Sequence, residues 1–200
     1  ADHCPLYRQV QGFARHGIEL DRSTLAFWTG YAAAELKPLW RWMREDLLRS
    51  GRLFVGETRA PVLDPGRGRT KTGYFWAIVR DDRGWGGSDP PAVVYTYAPG
   101  RGADHAIALL RNFTGILQTD GYGAYKALVD ADRARGAIAL AHCWAHARRR
   151  FFELAKGGAA PIAEEALRRI AGLYAIETEV RGQDADTRKA TRQARSRPLV

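Results

Sequence analysis

Over residues 5–50 apolar positions recur at spacings of mostly three and four, a pattern that predicts helices. Pro5 to Arg15 forms a short amphipathic stretch ending at Gly17, and Asp21-Arg22-Ser23-Thr24 supplies N-cap side chains for a longer helix. Leu25, Trp28, Tyr31, Leu36, Leu39, Trp40, Met43, Leu47 and Leu48 mark one apolar face of that helix, which Pro38 is expected to kink or divide. From Leu53 the pattern changes. Leu53-Phe54-Val55, Tyr74 to Val79 and Ala92 to Tyr97 read as strands. They are separated by a turn-rich basic loop, Pro61 to Lys71, and a Gly/Pro/Asp loop, Asp81 to Pro91, so an antiparallel meander is expected. A helix over Asp104 to Asn112, a strand over Gly115 to Thr119, a helix over Tyr122 to Val129, a strand over Ala137 to Ala141 and helical sequence from Trp144 onward follow.

The resulting order is β-β-β-α-β-α-β-α over residues 51–200, preceded by a helical segment over 1–50. It predicts an α/β core with a mixed sheet. The order resembles that of ribonuclease-H-like domains, in which carboxylates at the ends of the first and fourth strands and on a late helix converge over the sheet.

Composition narrows the class. With 46% hydrophobic and 10% aromatic residues the 200-residue chain can bury a core, which excludes wholesale disorder. No apolar run approaches the roughly 20 residues that span a bilayer, and the N-terminus carries no signal-peptide core, so a cytoplasmic protein is expected. Thirty-one Lys and Arg against 22 Asp and Glu give a net charge of +9, which favours a polyanionic partner such as nucleic acid. The two cysteines, Cys4 and Cys143, form no disulfide framework. The chain opens on Ala1 and closes on Pro198-Leu199-Val200 without a terminating pattern, and reads as a piece of a longer protein.

Asp120 directly follows the strand Ile116 to Thr119 and precedes Gly121, where α/β sheets place ligands. An acid there also serves simply to start a turn or cap a helix, and both readings stand. On the helix from Pro161 to Arg181, Glu177 falls in the stripe of Ile162, Ala166, Ile170, Leu173 and Val180. A carboxylate on an apolar face needs a metal, a donor or a cation, and an arginine from a neighbouring element satisfies it as well as a metal does. Glu153 points away from the apolar side of its helix and reads as solvated. Hard divalent ions take oxygen ligands, and a pair of them suits phosphodiester chemistry. In His142-Cys143-Trp144-Ala145-His146-Ala147-Arg148-Arg149-Arg150, a structural zinc site is disfavoured because no second cysteine pair exists. Trp144 beside Arg148, Arg149 and Arg150 reads as a stacking and phosphate-binding surface, or else as a solvated basic helix face.

The segments His3 to Gln9 (HCPLYRQ), Phe13 to Leu25 (FARHGIELDRSTL), Pro61 to Gly73 (PVLDPGRGRTKTG), Trp85 to Tyr95 (WGGSDPPAVVY), Gly115 to Tyr122 (GILQTDGY), Cys143 to Phe151 (CWAHARRRF) and Leu173 to Glu177 (LYAIE) occur in the order seen in one family. In them the chain resembles the transposases of the bacterial insertion-sequence sixty-six family, DDE-type enzymes with a ribonuclease-H-like core. The resemblance implies that Asp120 and Glu177 are the second and last acids of a catalytic triad. It implies that both ligate a magnesium or manganese pair, and that the enzyme cuts transposon ends and joins the freed 3′-hydroxyl to target DNA. It further implies DNA contact by Trp144, His146, Arg148, Arg149 and Arg150, and a homo-oligomer in the active complex. One position departs from the family: Gly56 stands where an Asp precedes Glu-Thr. Neighbouring strand residues face opposite ways, so Glu57 replaces that Asp only through a bulge or local shift. The chain is therefore expected to be an impaired transposase domain, with a catalytically inactive DNA-binding remnant as the alternative.

Overall fold

The computed structural model describes residues 4–64, 66–129 and 137–200. His3, the first residue of the resembling segments, and Pro65 in the first loop lie outside them. Contacts divide the chain into two units, residues 1–46 and 47–200.

The first unit is helical. α1 (Leu6–Arg15) closes at His16, and Gly17 adopts the left-handed φ of 74° that turns the chain out of the helix. α2 (Arg22–Leu48) runs through Pro38 without interruption, so the proline does not divide it. Proline removes one backbone hydrogen bond, and a helix of 27 residues retains the rest. The expected apolar face is only partly packed. Leu25 is buried, as are Leu47 and Leu48 at the start of the second unit, whereas Trp28, Tyr31, Leu36 and Leu39 stay exposed. Helical periodicity identifies a face, but not whether another element covers it.

The second unit is built on a five-stranded sheet in the order β3-β2-β1-β4-β5. β1 (Arg52–Asp64), β2 (Arg69–Arg80) and β3 (Ala92–Ala98) form the antiparallel meander. β4 (Gly115–Thr119) and β5 (Ile138–His142) add in parallel on the other side of β1. This is the mixed α/β sheet of a ribonuclease-H-like domain, as the element order predicted. The predicted loop over Pro61 to Lys71 is mostly strand: β1 and β2 pair from Phe54↔Val79 out to Asp64↔Arg69. Gly66 and Gly68, both at positive φ, confine the turn to four residues. Pro61 is tolerated because β4 pairs with β1 only as far as Phe54, leaving one edge of β1 without a ladder partner there. Gly56 consequently lies within β1 and not at its end.

The connection after β4 is a 3-10 helix, Gly123–Leu128, instead of the α-helix expected over Tyr122 to Val129. α3 (Ala103–Leu109) and this 3-10 segment cover one sheet face. There Leu53, Val55, Trp76, Ile78, Val94, Leu117 and Ile138 are buried together with Leu109, Leu110, Phe113, Tyr125 and Leu128. α4 (Trp144–Lys156) packs on α5 (Pro161–Glu179), and α6 (Ala185–Thr191) continues in helical turns to Leu199. No helix among the described residues is long and apolar enough to cross a membrane.

Candidate functional site

The second sheet face carries the candidate chemistry. Parallel pairing of β1 with β4 matches Phe54 to Gln118, so two residues further along Gly56 comes level with Asp120 on the same face. Antiparallel pairing sets Ala77 beside Gly56. A cavity of about 280 Å³ opens here, lined by Phe54 to Glu57 of β1, Ala77 and Val79 of β2, and Gln118 to Asp120 at the end of β4, with Cys143 and His146 closing it. The Cys143 backbone N–H donates to the Thr119 carbonyl at 3.0 Å, which anchors the start of α4 to the end of β4 and brings His146 to the cavity. Asp120 Oδ1 accepts the Tyr122 N–H at 2.8 Å across Gly121, whose φ of 88° makes the turn. Asp120 thus occupies the strand-end position and starts a turn as well.

A Cβ on Gly56 would meet nothing within 4 Å. The backbone there is not in the left-handed region, so the position can accept a larger residue. Glu57 points to the covered face. Its pairing with Trp76 continues the ladder on both sides, and no bulge turns it toward the cavity. The Glu57 side chain is only 4% exposed, with Arg101 Nη1 3.9 Å from one oxygen. Tyr125 donates its hydroxyl to the other oxygen at 2.7 Å. Burial, and then this bond to Glu57, push the Tyr125 hydroxyl far above its ordinary pKa. The Arg101 guanidinium lies over the Tyr122 ring at 4.0 Å. Glu57 is therefore a packed, hydrogen-bonded group of the core side.

Glu177 stands on the flank of α5. Of the expected stripe Ile170, Leu173 and Val180 are buried, Ala166 is half-buried and Ile162 is exposed, and Ala163 and Ile176 join the buried face. Arg192 holds the Glu177 carboxylate with two hydrogen bonds of 2.7 Å. These bonds draw the Glu177 pKa below its ordinary value despite partial burial. Glu177 lines a cleft of about 850 Å³ with Arg83, Arg181, Arg188 and Arg192, and a neighbouring cavity of about 360 Å³ with Trp144 and Tyr174. Neither includes Asp120. The first turn of α4 has both sets as neighbours, Cys143 and His146 toward Asp120 and Trp144 toward Glu177.

Arg148, Arg149 and Arg150 are exposed on α4, where Arg149 pairs with Glu153 at 3.0 Å. Sequence reasoning missed Arg192 and Tyr125. An arginine fifteen residues beyond an acid gives no periodic signal, and a tyrosine in a short 3-10 turn reads only as core. It also missed the two-stranded ribbon beyond Tyr74, the last β2 residue to pair with β3, which carries Arg67, Arg69 and Lys71 near its tip.

The residues present do not fit a two-metal centre. Of the two acids that line the cavity, Asp120 lies level with Gly56 while Glu57 is bonded to Tyr125, and Glu177 pairs with Arg192 in a different cleft. Among the described residues no group of three or more His, Cys, Asp and Glu is arranged to hold a metal.

The fold and the position of Asp120 define an α/β domain of ribonuclease-H-like type. Over residues 1–200 the chain matches the Transposase IS66 family, and it belongs to that family. It is 46% identical over 203 residues to the uncharacterized protein y4jD of Sinorhizobium fredii (strain NBRC 101917 / NGR234), an alignment covering 99% of this chain and 39% of the relative. To the uncharacterized protein y4qI of the same organism it is 42% identical over 203 residues, covering 100% of this chain and 38% of that protein. The chain thus spans about two-fifths of the length of these curated relatives.

Proposed function

We propose that this chain is a DNA-engaging transposase domain whose phosphodiester cleavage and strand transfer are disabled at Gly56. The observation that carries the reading is the pairing of an open, side-chain-free Gly56 with Asp120 on one sheet face, while Glu57 is bonded to Tyr125 on the other. The family's chemistry calls for a magnesium or manganese pair held by three acids. Here the first acid is absent, so no step is assigned to metal ions. The position that lacks it is sterically open, which supports loss of one group and not collapse of the site.

DNA is the partner that the charge supports. Trp144, His146, Arg148, Arg149 and Arg150 are exposed on α4, and the basic ribbon extends from the other end of β1. Guanidinium groups on a rigid helix suit phosphate contacts, which position a duplex without reading its sequence. The test compares the parent chain, Gly56→Asp and Glu57→Gln for duplex binding and for nicking in magnesium or manganese. The parent and Gly56→Asp should bind alike, and only Gly56→Asp should nick. Parent nicking that Glu57→Gln abolishes, or absence of DNA binding by the parent, would overturn the proposal.

A further inference from the structure

Segments far apart in sequence meet around the buried carboxylate of Glu57. Across the β1–β2 ladder its neighbour is Trp76, itself buried, whose indole N–H donates to the Gly100 carbonyl at 3.3 Å. That bond fixes the loop between β3 and α3 just before Arg101, and the Arg101 side chain reaches back to Glu57, with Nη1 3.9 Å from Oε1. From the other side comes the 3-10 turn after β4. Its Tyr125 gives the hydroxyl proton to Glu57 Oε2 and sets its ring edge-on against both Trp76, at 6.0 Å, and Tyr122, at 6.4 Å.

Two of these contacts lead to Asp120. Arg101 lies over the Tyr122 ring, its guanidinium carbon 4.0 Å from the ring centre, and Tyr122 is the residue whose backbone N–H binds Asp120 Oδ1 at 2.8 Å. Gly121 between them has a φ of 88°, and glycine supplies such a turn without restraining it. The Gly121 N–H reaches Thr119 Oγ1 only at 3.3 Å, so the Tyr122 ring is the firmer handle on the turn. Covered on its face by Arg101 and met at its edge by Tyr125, that ring cannot rotate without breaking both contacts. Burying a carboxylate costs stability, and an apolar residue of similar volume would fill the space without that cost. What the charge of Glu57 adds is a fixed direction for Arg101.

We infer that Glu57 and Arg101 are positioning residues for Asp120. From the covered side of the sheet Glu57 directs Arg101 onto Tyr122, and Tyr122 holds the Asp120 carboxylate at the strand end through its backbone N–H. The importance of Asp120 rests on the reading of the chain as a transposase domain, whereas the coupling is a property of the folded chain without DNA or metal. Glu57 thereby acts on the site from behind, in a role separate from that of the acid missing at Gly56.

Nitrogen-15 NMR with the Tyr122 amide as reporter tests this in the parent chain, Arg101→Ala, Arg101→Lys and Glu57→Gln. In the parent the Tyr122 N–H should follow the protonation of Asp120 as pH is lowered, since that carboxylate is its acceptor. Arg101→Ala should speed hydrogen exchange at Tyr122 by about 10-fold and reduce its pH-dependent shift, while amides of the β4 ladder exchange as before. Arg101→Lys retains a cation over the ring and should recover most of the protection. Glu57→Gln keeps an acceptor for Tyr125 but loses the charge that directs Arg101, and should speed Tyr122 exchange as Arg101→Ala does. Parent behaviour of the Tyr122 amide in either Arg101→Ala or Glu57→Gln overturns the inference. Acceleration by one common factor at Tyr122 and along β4 in Arg101→Ala overturns it as well, because the contact is then ordinary packing. No DNA enters the measurement, so a parent that fails to bind DNA removes the transposase reading and leaves the coupling to be decided by these amides alone.

Discussion

At Glu57 the carboxylate is committed to the Tyr125 hydroxyl on the covered side of the sheet. Removing that donor leaves a nearly buried carboxylate short of a partner, so Tyr125→Phe should cost about 1–3 kcal/mol in urea unfolding. A loss near zero would mean that Glu57 is free to reorient toward the cavity. Gly115 is required for a different reason. Its φ is 124°, and a Cβ there would collide with the Gly51 carbonyl oxygen, which is backbone and cannot step aside. Gly115→Ala should therefore destabilise the domain by more than about 1 kcal/mol, read from the same unfolding curves. Gly56 meets neither constraint, since its surroundings are empty and its backbone is not left-handed. Its glycine is a missing side chain, while the glycine at 115 is a structural requirement.

Among the elements, α4 and the C-terminal helical segment carry the charged groups that the second unit presents. Arg149 is shared with Glu153, so replacing Arg148, Arg149 and Arg150 with alanine should reduce the salt slope of duplex binding by roughly 2 units, with affinity falling alike for unrelated sequences. An unchanged slope would make this run a solvated face. Two ion pairs join α5 to the segment after α6, Glu177–Arg192 and Glu179–Arg195. Because Glu177 has a lowered pKa in the folded chain, its pair with Arg192 contributes fully above the unfolded value of about 4.3 and is lost as pH falls through the lower folded value. The Arg192 Nε–H resonance in nitrogen-15 NMR should hold its bonded position at neutral pH and move to the solvent-exposed value only in acid, below the ordinary glutamate range. Glu177→Gln should remove most of that transition.

Across the whole chain, the sequence was most readable where periodicity and punctuation agree. β3, β4 and β5 fell within a residue or so of their observed bounds, because short apolar runs there end at Gly, Asp or Pro. The hairpin of β1 and β2 was read short, since Pro61 and a Gly-rich turn resemble a long loop until cross-strand pairing extends the ladder. Asp120 was legible from its strand end, whereas Gly56 stood out only through the resemblance to the transposase family, and alternation along β1 then set Glu57 on the other face. The Glu177–Arg192 pair was legible only as a requirement for some partner, because the identity of a partner is a tertiary fact. That Phe75, Tyr95 and Tyr97 share one sheet face was unreadable without register, as cross-strand pairing is a tertiary fact.

The central claim is that Gly56 is an open position beside Asp120 and that Glu57 does not stand in for the missing acid. Titration of the parent chain, Gly56→Asp and Glu57→Gln with Mn2+, followed by the loss of the free-ion electron paramagnetic resonance signal, tests it most directly. The account predicts no tight manganese binding by the parent, none by Glu57→Gln, and a new site in Gly56→Asp. Tight binding by the parent that Glu57→Gln abolishes would contradict it.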